Sequence, residues 1–271
     1  MINKVAINMI GGGFYHDLCS SAGATPKLIE WKKDLSADIS IHIDYHIQSK
    51  VNESKINFAW LSESRTINPR LYEWCEQNVD YLERNFKLIF TNDKSLLELS
   101  PKFKLVICSA VPWVKQQDIF PKTKLVSMIA SNKSSCPEHE LRKYVIDKFK
   151  GDIDLYGRGY LEIEDKSVGL VDYYFSICME NLTYRNGYSE KITDCFATGT
   201  IPIYYGSPDI GEVFNEDGII WLTDEFSISD ISTELYWSKI EAVRDNYQRA
   251  INFPTAEDWI YETYIKDFEN Q

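Results

Sequence analysis

Six cysteines, four histidines and thirteen glycines are all that the 271 residues supply of the types that most often mark a metal site or a phosphate loop. The cysteines, at 19, 75, 108, 136, 178 and 195, form no CxxC pair. Several lie in apolar runs such as Leu105-Val106-Ile107-Cys108, which predicts buried thiols rather than disulfides or zinc ligands. His16, His42, His46 and His139 have no spacing that suits a metal. Gly11-Gly12-Gly13 follows the first apolar run, but the GxGxxG order of a dinucleotide loop is met at neither Gly11 nor Gly12. Cations are scarce: 29 Lys and Arg stand against 41 Asp and Glu, a net charge of −12. That balance excludes nonspecific nucleic-acid binding or an anionic membrane surface as the main role, while leaving room for a local basic pocket. There is no Pro/Ser-rich linker, internal repeat or low-complexity tract. The first apolar segment, Met1 to Ile10, lacks the length of a transmembrane helix and the layout of a signal peptide, so a cytoplasmic location is expected. Asp-x-Asp occurs as Asp152-Ile-Asp154, but with its acids at the entering end of a predicted strand. No metal and no other cofactor is therefore expected.

What is present is an ordinary globular composition, 44% hydrophobic and 26% charged, with 14% aromatic residues that include 17 Tyr and 7 Trp. Short β-branched runs alternate with longer amphipathic stretches, the pattern of βα units and parallel sheets. Strands are predicted over 4–10, 39–44, 56–61, 87–91 and 103–109. A helix is predicted from Asn68-Pro69, where Asn caps and Pro takes the first helical position, with Leu71, Trp74, Cys75, Val79, Leu82 and Phe86 on one face. A second series follows: strand 125–130, helix 137–149, strands 152–156 and 173–179, helix 189–198, and strands 200–205 and 218–222. Helical sequence then runs from 232 to 269, broken near Pro254. The expected organisation is α/β with two Rossmann-like lobes, residues 1–120 and 121–271, facing a central cleft at their strand C-termini.

The most informative segment lies in the second half. A strand delivers Glu180 and Asn181 to its end, a polar loop follows, and Ser189 starts a helix whose first turn carries Glu190 and Lys191. The exposed N–H groups of such a turn attract anions, and Lys191 adds a full positive charge. Taken alone, Glu190 and Lys191 read better as a helix acid matching the dipole beside a solvated lysine. The segment then continues through Gly199-Thr-Ile-Pro-Ile-Tyr-Tyr-Gly206-Ser-Pro208. A second site, Ala59-Trp60-Leu61-Ser62-Glu63-Ser64, places a carboxylate directly after an apolar strand, the position of a general base or of a loop acid capping the next helix. Arg65 could neutralise Glu63.

Glu180, Asn181, Ser189, Glu190, Lys191, Thr200, Pro202, Gly206 and Pro208 together resemble the signature of glycosyltransferase family 10, the α-1,3/1,4-fucosyltransferases. Asp154-Leu-Tyr-Gly157-Arg-Gly159 is similar to a further segment of that family. The resemblance covers about 124–225 and only patches before it. It implies a GT-B-like fold, GDP-fucose as donor, an oligosaccharide or glycoconjugate acceptor, inversion at the anomeric carbon, and a soluble member of bacterial or viral type. Carried over, it implies phosphate contacts by Arg142 and Lys191 and a sugar or ribose contact by Glu190. Asn181 would line the nucleotide side, with Glu180, Tyr188, Ser131 and Asn132 in the same donor set. Glu63 falls on the family's proposed base. The loop residues Gly12 and His16 are candidates for the acceptor side of the cleft. One departure is Gly187, where the family has a tyrosine three residues before the Glu; Tyr188 stands one position later. Another sugar nucleotide, or a silent glycan- or nucleotide-binding protein, remain the rival readings.

Overall fold

The computed structural model describes residues 4–11, 19–49, 53–107, 110–134, 137–181 and 183–268. Gly12, His16, Cys108 and Cys136 fall outside them. The chain forms two compact units, Met1–Ser109 with Pro254–Gln271, and Ala110–Phe253.

In the first unit, β1 (Val5–Ile10), β2 (Ile29–Lys32), β3 (Ile39–Ile43), β4 (Ile56–Trp60), β5 (Ile89–Thr91) and β6 (Phe103–Leu105) make a six-stranded sheet in the order β2-β1-β3-β4-β5-β6. Every pairing is parallel. The strand β2 was not expected: it is a four-residue edge strand, too short for its pattern to register. The single helix expected after Asn68 is two, α1 (Pro69–Gln77) and α2 (Val79–Asn85). Asn78 breaks it, leaving helical geometry (φ −125°, ψ 33°) while its side-chain amide donates to the Trp74 carbonyl at 2.8 Å. The apolar face holds across the break, with Leu71, Tyr72, Cys75, Leu82 and Phe86 in one core with Ala59, Leu61 and Ile89. The short helix α3 (Lys94–Leu97) follows β5 and is capped by Asp93.

The tail corrects the expected division at residue 120. Residues 254–271 belong to the first unit, where Ala256, Ile260 and Ile265 complete the core over Ile7, Ile41 and Phe58. Two acids in the first turn of the helix Ala256–Ile260 fix this return. Glu257 accepts from the Ser20 amide at 2.6 Å, and Asp258 from the Lys27 and Leu28 amides at 2.9 Å. An amphipathic pattern says that a helix has an apolar face; it does not say which sheet covers it.

In the second unit, β7 (Lys124–Ile129), β8 (Asp154–Tyr156), β9 (Tyr173–Met179), β10 (Ile201–Tyr205) and β11 (Ile220–Trp221) form a five-stranded parallel sheet in the order β11-β10-β9-β7-β8. The helices are α4 (Pro137–Lys148), α5 (Glu190–Ala197), α6 (Thr233–Ser238) and α7 (Ile240–Ile251). Strand order reverses at β7, which lies between β8 and β9. Such a switch point leaves a crevice at the strand C-termini where ligands bind in open α/β sheets. Gly199 has φ +68° immediately after α5, as its place at a helix C-terminus requires.

Candidate functional site

A cavity of about 590 Å³ opens in the second unit, lined by Ile129 at the end of β7 and Ala130 and Ser131 after it, by Ile177 to Met179 of β9, and by Glu190, Lys191, Asp194 and Cys195 of α5. A further wall is the segment after β8, with Gly157, Arg158, Glu162, Glu164 and Lys166. Two glycines let that loop pass close to β7. A Cβ on Gly157, at φ +108°, would run into the Ala130 carbonyl oxygen; one on Gly159, at φ +85°, would run into the Asn132 side chain. The Asp-Leu-Tyr-Gly-Arg-Gly segment thus has a backbone reason for its glycines.

Arg142, on α4, lines the cavity and is 6% exposed. Its guanidinium donates to Asn181 Oδ1, which brings two of the expected donor residues together from α4 and the end of β9. Lys191 also lines the cavity, and its ammonium is engaged by its neighbours. It donates to Glu180 Oε2 at 2.9 Å and to Ser189 Oγ at 2.9 Å. Glu180 accepts further from the Ser189 amide at 2.8 Å and the Ser189 hydroxyl at 2.7 Å, and is 2% exposed. Glu180 therefore stands behind Lys191 and the start of α5 as their anchor, not at the cavity wall as a ligand contact. Burial works against the Lys191 charge, but the Glu180 and Glu190 carboxylates outweigh it and hold the ammonium above the ordinary lysine value.

Glu190 and Lys191, adjacent in sequence, are paired elsewhere. The Glu190 carboxylate takes Lys166 Nζ at 3.0 Å, and Lys166 also reaches Asp194 Oδ2 at 2.7 Å. Burial raises the Glu190 carboxyl, yet Lys191 and Lys166 overcome it and bring it down to about 2. Asp194 Oδ1 receives the Trp113 and Val114 amides at 2.5 and 3.0 Å, and the Lys166 ammonium lies 4.7 Å from the centre of the Trp113 ring. Sequence reasoning missed Lys166, Asp194 and Trp113. Lys166 sits in Glu162-Ile-Glu-Asp-Lys, a run that reads as a solvated turn, and its partners are 24 and 28 residues away. No local spacing signals such pairs.

Ser131 lines the cavity; Asn132 is exposed, and its amide donates to the Arg158 carbonyl at 3.1 Å, so it supports the wall from behind. Tyr188 does not line the cavity. It is 4% exposed and meets Phe214 and Phe253 edge-on, because the polar loop turns it into the aromatic cluster beneath α5. It does not supply a tyrosine at the ligand in place of Gly187.

In the first unit, Glu63 follows the C-terminus of β4 and is exposed. Asp44 accepts the Ser62 and Glu63 amides at 2.9 and 3.2 Å, and the Tyr72 hydroxyl donates to the Glu63 carbonyl at 2.6 Å, so the backbone here is pinned on both sides. Arg65 does not neutralise Glu63: it pairs with Asp93 at 2.7 Å and Glu76 at 2.9 Å. Among the described residues no cation pairs with the Glu63 carboxylate, and desolvation, aided by the Asp44 charge, raises it above the ordinary value. Gly12 and His16 lie outside the described residues. Among those described, no helix is long and apolar enough to cross a membrane.

No protein-family model matches the chain. An α-(1,3)-fucosyltransferase, FucT of Helicobacter pylori, is 32% identical over 110 residues, a match covering 38% of this chain and 22% of that protein. The chain thus spans under a quarter of that relative's length. The fold is similar to that of a crystallised α1,3-fucosyltransferase with GDP (TM-score 0.53, 13% identity, 99% of this chain and 90% of the other). It is also similar to sucrose-phosphate synthase of Thermosynechococcus elongatus (TM-score 0.55, 10% identity, 87% and 75%). The architecture is the GT-B fold, and the likeness to α-1,3-fucosyltransferases carried by the motifs from Glu180 to Pro208 is met by a sequence match to an enzyme of that kind.

Proposed function

We propose that the chain is an inverting glycosyltransferase that moves fucose from GDP-fucose to a hydroxyl of a glycan, without a metal ion. The observation that carries this reading is the cavity at the strand switch point, where Arg142, Lys191 and the first turn of α5 converge. A nucleoside diphosphate is dianionic or more, and these groups supply what it needs: a guanidinium, an ammonium and the positive end of a helix start. As the bond from the anomeric carbon to the phosphate oxygen breaks, charge moves onto the departing diphosphate, and preformed donors stabilise it most at that moment. Glu190, ionised and held by Lys166, accepts hydroxyls of the ribose or the sugar. Glu63 serves as the base that takes the acceptor proton while the acceptor oxygen attacks the face opposite the leaving group. Attack from that side inverts the anomeric centre.

The test is turnover of GDP-fucose with a panel of N-acetylglucosamine-containing oligosaccharides, reading GDP release and the anomeric configuration of the product by NMR. An α-fucoside from the β-linked donor is the expected product. GDP bound but never released from GDP-fucose with any acceptor or with water would favour a silent binding protein instead.

A further inference from the structure

Lys166 belongs to no motif of the sequence, yet it stands at the centre of the cavity's charge arrangement. Its ammonium touches Glu190 at 3.0 Å and Asp194 at 2.7 Å and covers the Trp113 ring at 4.7 Å. Asp194 is 1% exposed and tied by Oδ1 to the backbone amides of Trp113 and Val114, so one end of the chain of contacts is rigid. Glu190 is the other end, with 15% of its side chain open. Lys191, the neighbour that could have held Glu190, is directed to Glu180 and Ser189 instead.

We propose that Lys166 is a positioning residue for the donor: it grips Glu190 Oε1 and, braced by Asp194 and Trp113, aims the second carboxylate oxygen at the hydroxyls of a bound nucleotide sugar. The inference rests on the nucleotide-sugar reading of this cavity. Two consequences follow from the geometry. A carboxylate held at one oxygen by a braced ammonium loses rotamer freedom before the ligand arrives, which lowers the ordering cost of binding. The same contact keeps the carboxylate ionised and so acceptor-only, the form suited to a pair of hydroxyl donors.

The test is a double-mutant cycle in the full chain, with GDP and GDP-fucose affinities measured by calorimetry for wild type, Lys166→Gln, Glu190→Gln and the double variant. Loss of one charge-assisted contact predicts binding weaker by about 10- to 100-fold for Lys166→Gln. If Lys166 acts through Glu190, the same change in the Glu190→Gln background costs less than about threefold, because the coupling between the two residues is already gone. Lys166→Arg, which keeps the charge, should recover most of the affinity. Should Lys166→Gln not fold, Asp194→Asn, which removes the charge that braces Lys166, takes its place in the cycle with the same expectation. Effects that simply multiply, or an unchanged affinity, would overturn the proposal while leaving the nucleotide site intact. A wild type that binds neither GDP nor GDP-fucose would overturn the site reading and this inference together.

Discussion

Lys191 and Glu63 carry different halves of the proposed reaction, and their surroundings differ accordingly. Lys191 is fixed by Glu180 and Ser189, so Lys191→Ala removes a preformed cation from a departing diphosphate. Loss of one such transition-state contact typically costs about 100- to 1000-fold in rate. Turnover of Lys191→Ala should fall that far while its circular dichroism stays that of the wild type; an unchanged rate would remove Lys191 from the mechanism. Glu63 is exposed, unpaired with any cation among the described residues, and raised above its ordinary 4.5. A base works in its deprotonated form, so activity should fall as pH drops through the Glu63 pKa. The acid limb of the pH–rate profile is expected above pH 4.5. Glu63→Gln should abolish that limb along with transfer and spare GDP binding. The types and order of these residues were legible in the sequence, because a helix start with Ser189, Glu190 and Lys191 is local information. Their partners were not. Glu180 behind Lys191, Tyr188 in the aromatic cluster and Arg65 on Asp93 and Glu76 are choices made by packing over distance.

Among the elements, the loop after β8 and the end of β7 together form one side of the cavity. Gly157 passes across the Ala130 carbonyl with φ +108°, so both the left-handed backbone and the missing side chain are needed there. Gly157→Ala should cost about 1–3 kcal/mol of stability from backbone strain alone. It should also weaken nucleotide binding, as chemical denaturation and calorimetry would register. Where β7 begins, Lys122 joins the end of α5 to the approach to β9. Its ammonium donates to the Val171 carbonyl at 2.9 Å, the Thr198 carbonyl at 2.7 Å and the Thr200 hydroxyl at 3.1 Å. Burial lowers it from 10.5 to about 7, and no carboxylate pairs with it among the described residues. Between those two values the unfolded chain holds a proton that the folded chain lacks. Stability therefore rises with pH across that window and is flat, for this group, below it. Denaturation at intervals from about pH 7 to 10.5 should show the rise in wild type and a flatter profile in Lys122→Met. The strands of this unit were readable because each is a β-branched or aromatic run with its own boundaries. The short edge strand Ile29–Lys32 and the split at Asn78 were not, since neither changes the apolar pattern around it.

At the scale of the whole molecule, each unit is built on one parallel sheet, the first with two hydrophobic clusters against it, and the chain leaves the first, builds the second and returns. The alternation of strands and helices made the α/β class plain. The return of residues 254–271 was hidden, because its decisive contacts are Glu257 and Asp258 accepting amides more than 200 positions earlier. Within a net charge of −12, this cavity still gathers five cations, Lys133, Arg142, Arg158, Lys166 and Lys191, beside the acids Glu162, Glu164, Glu190 and Asp194. The proposed occupant of this crevice is a guanosine diphosphate sugar. Calorimetric titration of the full chain with GDP, GDP-fucose, UDP and ADP, in excess EDTA, tests it most directly. Selective binding of GDP and GDP-fucose with no metal present is expected. Equal binding of all four, or binding that appears only when a divalent cation is restored, would contradict it.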